Sequence, residues 1–257
     1  MSAGFHGGSL RAVVMDVDGT LVDSERDGHR VAFNHAFATL GLPYSWSAEA
    51  YGHLLDTAGG RRRIAGFLRD QGLADAEAES IAVEAHRLKS RFFELLVLEG
   101  AVPLREGVRD LVQDLRDAGV RLHVATTGSR SWVEPLLAHH FDRSTFELVV
   151  TGSDVTTLKP APDVYSAVLR GAGLTPDGVV AVEDSHHGLL AAHGAGLRCV
   201  VVPNEYTHAD VSAADLVVSS FGPDAEWISG VAVPLPGRRI SRATLDAVAS
   251  AGAQLTG

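Results

Sequence analysis

Two aspartates two positions apart, Asp16 and Asp18, close an apolar run at residues 12–15 and are followed at once by Gly19 and Thr20. Along a strand, residues i and i+2 point to the same face, and like charges a few ångströms apart push one carboxyl pKa up sharply. A buried strand cannot carry such a pair uncompensated. Placing both acids past the strand end, around a shared divalent cation, removes the conflict. Gly19 lets the backbone turn tightly there, and Thr20 adds a hydroxyl. Ligands of open α/β sheets bind outside the carboxyl ends of the strands, so this stretch marks a candidate active site.

Three further strand ends carry polar groups of matching chemistry. Thr126, Thr127 and Gly128 follow a strand expected at 120–125, Asp154 to Lys159 follow one at 146–150, and Glu183 and Asp184 follow one at 179–182. In a parallel sheet these ends share one edge. A nucleophilic carboxylate, hydroxyl donors, one cation and a second acidic pair would then converge. Oxygen-only ligands, without His or Cys at metal spacing, point to Mg²⁺ rather than zinc. Lys159, followed by Pro160, is a fixed ammonium suited to neutralising charge between a carboxylate and a phosphoryl group. The chemistry these residues fit is phosphoryl transfer through an aspartyl-phosphate.

The elements that must position these ends alternate in the α/β manner. Amphipathic segments at 106–119, 131–140, 162–171 and 188–195 separate strands at 120–125, 146–150, 179–182, 199–202 and 215–218. Strands separated by helices of that length imply right-handed crossovers and a parallel, doubly wound sheet. Pro135 is expected in the first turn or so of its helix, where it is tolerable. Between 24 and 98 the period is helical, with segments near 27–41, 47–56, 60–72 and 75–98; in the last, Ile81, Ala85, Leu88, Phe92 and Leu95 or Leu96 mark the apolar stripe. The expected organisation is a core of residues 10–23 and 101–257 with an inserted helical domain at 24–100. The stretch after Gly222 reads only as loop and then a capped helix at 241–251.

Composition narrows the partners. The 257 residues are 46% hydrophobic and 21% charged, and the formal net charge is −10, which disfavours a nucleic-acid backbone or an anionic membrane as partner. One cysteine, Cys199, permits no internal disulfide. Residues 1–8 carry no signal or transit pattern, and no apolar run spans a bilayer. The expected compartment is the cytoplasm, and the expected state a monomer or weak homodimer.

Asp16-x-Asp18-Gly-Thr, Thr126, Lys159-Pro160 and Glu183-Asp184 together resemble the four signatures of the haloacid dehalogenase superfamily, in order and at the right strand ends. That resemblance implies Asp16 as nucleophile, Asp18 as general acid and base, and Thr126 and Thr127 as phosphate-binding groups. It also implies one Mg²⁺ on the Asp16 carboxylate, the Asp18 main-chain carbonyl and Asp184, with Glu183 ligating directly or through water, and a helical cap inserted after the first strand. The stretches Leu21 to Asn34 and Tyr51 to Ile64 are similar to the cap entry of CbbY-type phosphatases, which remove the 1-phosphate of xylulose 1,5-bisphosphate. On that likeness Glu25, His29, Arg61 and Arg63 form the specificity set. Thr156, Thr157 and Leu158 depart from the basic cluster often found before the Lys-Pro pair. A β-phosphoglucomutase-like mutase uses the same two aspartates and stays open at this point. A catalytically dead scaffold is disfavoured because every signature position is filled, and a dehalogenase because that chemistry needs neither Asp18 nor a metal.

Overall fold

A computed structural model describes residues 10–251 other than 56, 58 and 208. Residues 1–8, read above as carrying no signal or transit pattern, lie outside the described residues, as do Asp56 and Ala58 of the cap-entry stretch. The chain divides into two compact units. Asp23–Pro103 forms the smaller, and the chain before and after it forms the larger.

In the larger unit, β1 (Ala12–Met15), β2 (Arg121–Ala125), β3 (Leu148–Val150), β4 (Val179–Glu183), β5 (Arg198–Val201), β6 (Leu216–Val218) and β7 (Trp227–Gly230) form one sheet in the order β3-β2-β1-β4-β5-β6-β7. Every pairing is parallel except β6 with β7. Central strands of such a sheet are buried on both faces and so read as continuous apolar runs. All four residues of β1 are fully buried, as are most of β4 and β5.

From β1 the chain passes through α5 (Val108–Asp117) to β2 and through α6 (Arg130–His140) to β3. It then returns through α7 (Asp163–Ala172) to β4 and through α8 (His186–Gly194) to β5. Right-handed crossovers running in opposite directions put α5 and α6 on one face and α7 and α8 on the other. Val164, Val168 and Leu169 of α7 and Leu189 and Ala192 of α8 pack with Ala12, Val14, Ala181 and Cys199. The direction reverses between β1 and β4, so their carboxyl ends form the topological switch point.

In the larger unit two details differ from the sequence reading. Pro135 is the sixth residue of α6, in its second turn rather than its first, so the Ser131 carbonyl has no amide of residue 135 to accept from. The stretch after Gly222 holds a strand, β7, which periodicity did not reveal because Trp227 and Ile228 are both half exposed. The last element among the described residues is α9 (Arg242–Ser250), opened by a capping box between Ser241 and Thr244. This helix packs on α5, β4 and β5, and Asp246 accepts the Leu10 N–H at 2.7 Å.

The smaller unit contains a π-helical turn (Glu25–His29) leading into α1 (Arg30–Thr39), then α2 (Ala48–Leu54), α3 (Gly60–Asp70) and α4 (Asp75–Leu98). Ser47 caps α2 by accepting the Ala50 N–H. Rings of Phe33, Phe37, Trp46, Tyr51 and Phe67 meet at 4.8–6.4 Å, and each such side chain contributes about 1.5–3 kcal/mol when fully buried. The buried stripe of α4 is Ala78, Ala82, Ala85, Lys89, Phe93 and Val97, rotated from the Ile81, Leu88, Phe92 and Leu95 stripe expected; only Ala85 belongs to both. Small alanines let α1 and α3 approach closely, while Leu95 stays half exposed. Lys89 belongs in that stripe because its ammonium lies 2.9 Å from His29 Nδ1 and about 5 Å from the ring centroids of Phe33 and Phe93. Among the described residues no helix is long and apolar enough to cross a membrane.

Candidate active site

The Asp16 N–H still bonds Val182 O at 3.0 Å, which extends the β1–β4 ladder by one residue. The chain then folds on itself: Val17 O accepts the N–H groups of Thr20, Leu21 and Val22, and Gly19 takes a φ of +76°. A Cβ on Gly19 would stand 2.1 Å from Asp184 Oδ2. Glycine is therefore required both for the turn and for the approach of the second acidic pair.

Lys159 Nζ donates to Asp16 Oδ1 at 2.6 Å, to Glu183 Oε1 at 2.6 Å and to Ala125 O at 2.9 Å. Its side chain is 6% exposed, against 8% for Asp16 and none for Glu183. The peptide between Lys159 and Pro160 is cis. The Tyr165 hydroxyl donates to the same Glu183 oxygen at 2.5 Å and is itself fully buried. Glu183 Oε2 is buried against Gly188, where a Cβ would lie 1.9 Å away, and has no hydrogen-bond partner among the described residues. Glu183 therefore anchors the lysine as well as contributing charge.

One oxygen each of Asp16, Glu183 and Asp184 lie within 4.8 Å of one another. The Asp18 carboxylate is not in that group. Three carboxylates facing one ammonium leave an excess of negative charge in a poorly hydrated place. The consequence is visible in Asp16, whose pKa is raised well above the usual carboxylate range by burial first, then by the Glu183 and Asp184 charges, with Lys159 opposing. Burial alone would lower the Lys159 pKa, but the two carboxylates outweigh it and raise it. A hard divalent cation fits this oxygen-only donor set.

Asp184 is pushed up to about 7 by burial and by Glu183, against Arg105, Lys159 and the Asn204 amide. A carboxyl whose pKa is higher folded than unfolded binds its proton more tightly in the native state. Its ionisation then removes stability as pH rises from about 4 to about 7. In metal-free protein, Asp184→Asn should be near neutral at pH 4.5 and stabilising at pH 8. The melting-temperature difference from wild type should therefore grow with pH; a constant difference would refute the electrostatic account.

Thr126 is fully buried, and its Oγ1 accepts the Gly128 N–H at 3.1 Å. Thr127 beside it is partly exposed. In the smaller unit, Glu25 Oε2 accepts the Tyr51 hydroxyl at 2.6 Å, and Arg63 Nη1 donates to the Tyr51 oxygen at 3.2 Å. Arg63 Nε also bonds Leu54 O, and its guanidinium lies 5.4 Å from the Tyr51 ring centroid. Arg61 is 60% exposed, and its Nε lies 3.9 Å from Glu79 Oε2. The two arginines, expected as a pair, face different ways because residues two apart on a helix do not share a face. His86 loses basicity through burial first, then through Lys89, Arg61, His29 and Arg63, which reports a positive field inside this unit.

Sequence reasoning missed Tyr51, Lys89, Tyr165 and Asn204.

A family model for haloacid dehalogenase-like hydrolases matches residues 10–196. The chain belongs to that family. Protein CbbY of Cereibacter sphaeroides is 44% identical over 216 residues, covering 82% of this chain and 93% of that protein. The crystal structure of CbbY from Rhodobacter sphaeroides with phosphate has a TM-score of 0.69 at 42% identity, covering 84% of this chain and 96% of that one. A mutant of the same protein in complex with xylulose 1,5-bisphosphate gives 0.70 at 40% identity, covering 90% and 100%. This haloacid dehalogenase-like chain is accordingly a phosphoric monoester hydrolase of CbbY type with the family's doubly wound core.

Proposed function

We infer that the chain is a Mg²⁺-dependent sugar-bisphosphate phosphatase working through an aspartyl-phosphate, with the 1-phosphate of xylulose 1,5-bisphosphate as the group removed. The observation that carries the substrate is the likeness, over 90% of this chain, to a CbbY structure that holds this bisphosphate.

The roles follow from the chemistry of each group. Asp16, fixed at a strand end by its ladder bond and by Lys159, attacks phosphorus. Asp18 protonates the leaving alkoxide and later takes the proton of the attacking water, a role worth about 10²–10⁴-fold. Lys159 stands between nucleophile and phosphoryl oxygens and offsets their repulsion. Thr126 and Thr127 donate to the phosphoryl group. Asp16, Asp184, the Asp18 carbonyl and Glu183 would hold Mg²⁺, which when bound neutralises charge on the transferring phosphoryl group. Residues 24–100 act as the cap, where Glu25, His29 and Arg63 recognise the rest of the sugar. The protein acts alone or as a weak dimer in the cytoplasm.

Incubation with xylulose 1,5-bisphosphate and Mg²⁺ should release inorganic phosphate and leave xylulose 5-phosphate. EDTA should stop the release and added Mg²⁺ restore it. Restoration by Zn²⁺ alone would contradict the oxygen-ligand set, and isomer interconversion without net phosphate would make the enzyme a mutase.

A further inference from the structure

The loop that leaves β5 belongs to none of the four signatures, yet side-chain hydrogen bonds tie it to the acidic cluster. Asn204 Nδ2 donates to Asp184 Oδ2 at 2.8 Å and lies 3.4 Å from the Gly19 carbonyl oxygen. The Asn204 side-chain oxygen accepts the Tyr206 N–H at 2.9 Å. Thr207 Oγ1 donates to the Asp184 main-chain oxygen at 2.8 Å and accepts the Asn204 N–H at 3.0 Å. Arg105 closes the arrangement from the other side. Its Nη1 donates to Gly19 O at 2.6 Å and Val202 O at 2.8 Å, its Nη2 to Pro203 O at 2.8 Å. The β1 and β5 exits are thus held at one spacing, with the Asp184 carboxylate between them.

We propose that Asn204 is a positioning residue for Asp184, holding Oδ2 so that Oδ1 is presented as the metal ligand. The inference rests on the Mg²⁺ reading above. A carboxylate turns readily about its last torsion, and either oxygen can then face the cation. Here Oδ2 is held by the amide and lies where only Gly19 leaves room. Among the described residues Oδ1 has one long contact, the Thr20 hydroxyl at 3.4 Å. An amide suits the task better than a basic group would. It donates to the carboxylate and fixes its direction without a positive charge that would compete with the cation. Partners that orient metal ligands in this way are typically worth about 10–100-fold in metal affinity.

Calorimetric titration of Mg²⁺ into metal-free protein tests the assignment. Asn204→Ala should raise the Kd by about tenfold or more, and saturating Mg²⁺ should return kcat close to the wild-type value. Should the alanine variant not fold, Asn204→Ser serves equally, because its hydroxyl is too short to reach Oδ2 from that position. An unchanged Kd in a folded variant would overturn this inference alone, as would a loss of kcat that no Mg²⁺ concentration recovers. Absence of Mg²⁺ binding by wild type would overturn it together with the metal reading beneath it.

Discussion

Asp16→Asn should abolish phosphate release from every substrate, by at least about three orders of magnitude, while the protein stays folded. The amide is isosteric but cannot form the acyl phosphate, so the nucleophilic path is lost rather than slowed. Losing the nucleophile from a catalytic set that works as a unit costs nearly as much as losing the whole set. Stability should move the other way. Asp16 is held above the ordinary carboxylate range by burial and by the Glu183 and Asp184 charges, with only Lys159 opposing. Removing its charge relieves that repulsion, and Lys159 keeps Glu183 and the Ala125 carbonyl as acceptors. The metal-free variant should therefore melt no lower than wild type. Turnover near the wild-type level would remove the aspartyl-phosphate mechanism. A collapsed melting temperature would mean that Asp16 is first a structural partner of Lys159.

What could be read from the sequence divides along a physical line. The strand ends were legible because a strand buried on both faces is a continuous apolar run, and Asp16, Thr126 and Glu183 each stand at the point where such a run stops. The α4 helix was legible in extent but not in orientation. Its buried face is built from alanines and Lys89, while bulkier residues that dominate a periodicity count lie at its margins. Strand β7 was hidden because an edge strand that exposes Trp227 and Ile228 has no buried face to alternate against. Tyr165 and Asn204 were invisible for another reason. Each acts on a residue more than fifteen positions away in the chain, and nothing in local pattern announces a hydrogen bond that only the fold creates.

Arg61 and Arg63 illustrate the same point and lead to the second large expected effect. In the sequence they form one basic run after Gly59 and Gly60. In the fold, Arg63 lies on the Tyr51 face, its fork bonded to the Tyr51 oxygen and Leu54 O, while Arg61 extends toward solvent. A preorganised guanidinium loses less conformational freedom when it binds an anion than an exposed one. If Arg63 grips the phosphate that does not react, its truncation costs a charged contact at a desolvated site, typically about 2–5 kcal/mol. Arg63→Ala should then cut kcat/KM for xylulose 1,5-bisphosphate by well over tenfold and leave the slow hydrolysis of a small aryl phosphate nearly unchanged, because that substrate has no second anion. Arg61→Ala should change neither appreciably. Arg63→Lys, which keeps the charge but not the planar fork, should fall between. Equal losses on both substrates would place Arg63 in the fold of the smaller unit, where it supports Tyr51 and through it Glu25. A larger loss at Arg61 than at Arg63 would mean that the exposed arginine, not the ordered one, meets the second phosphate.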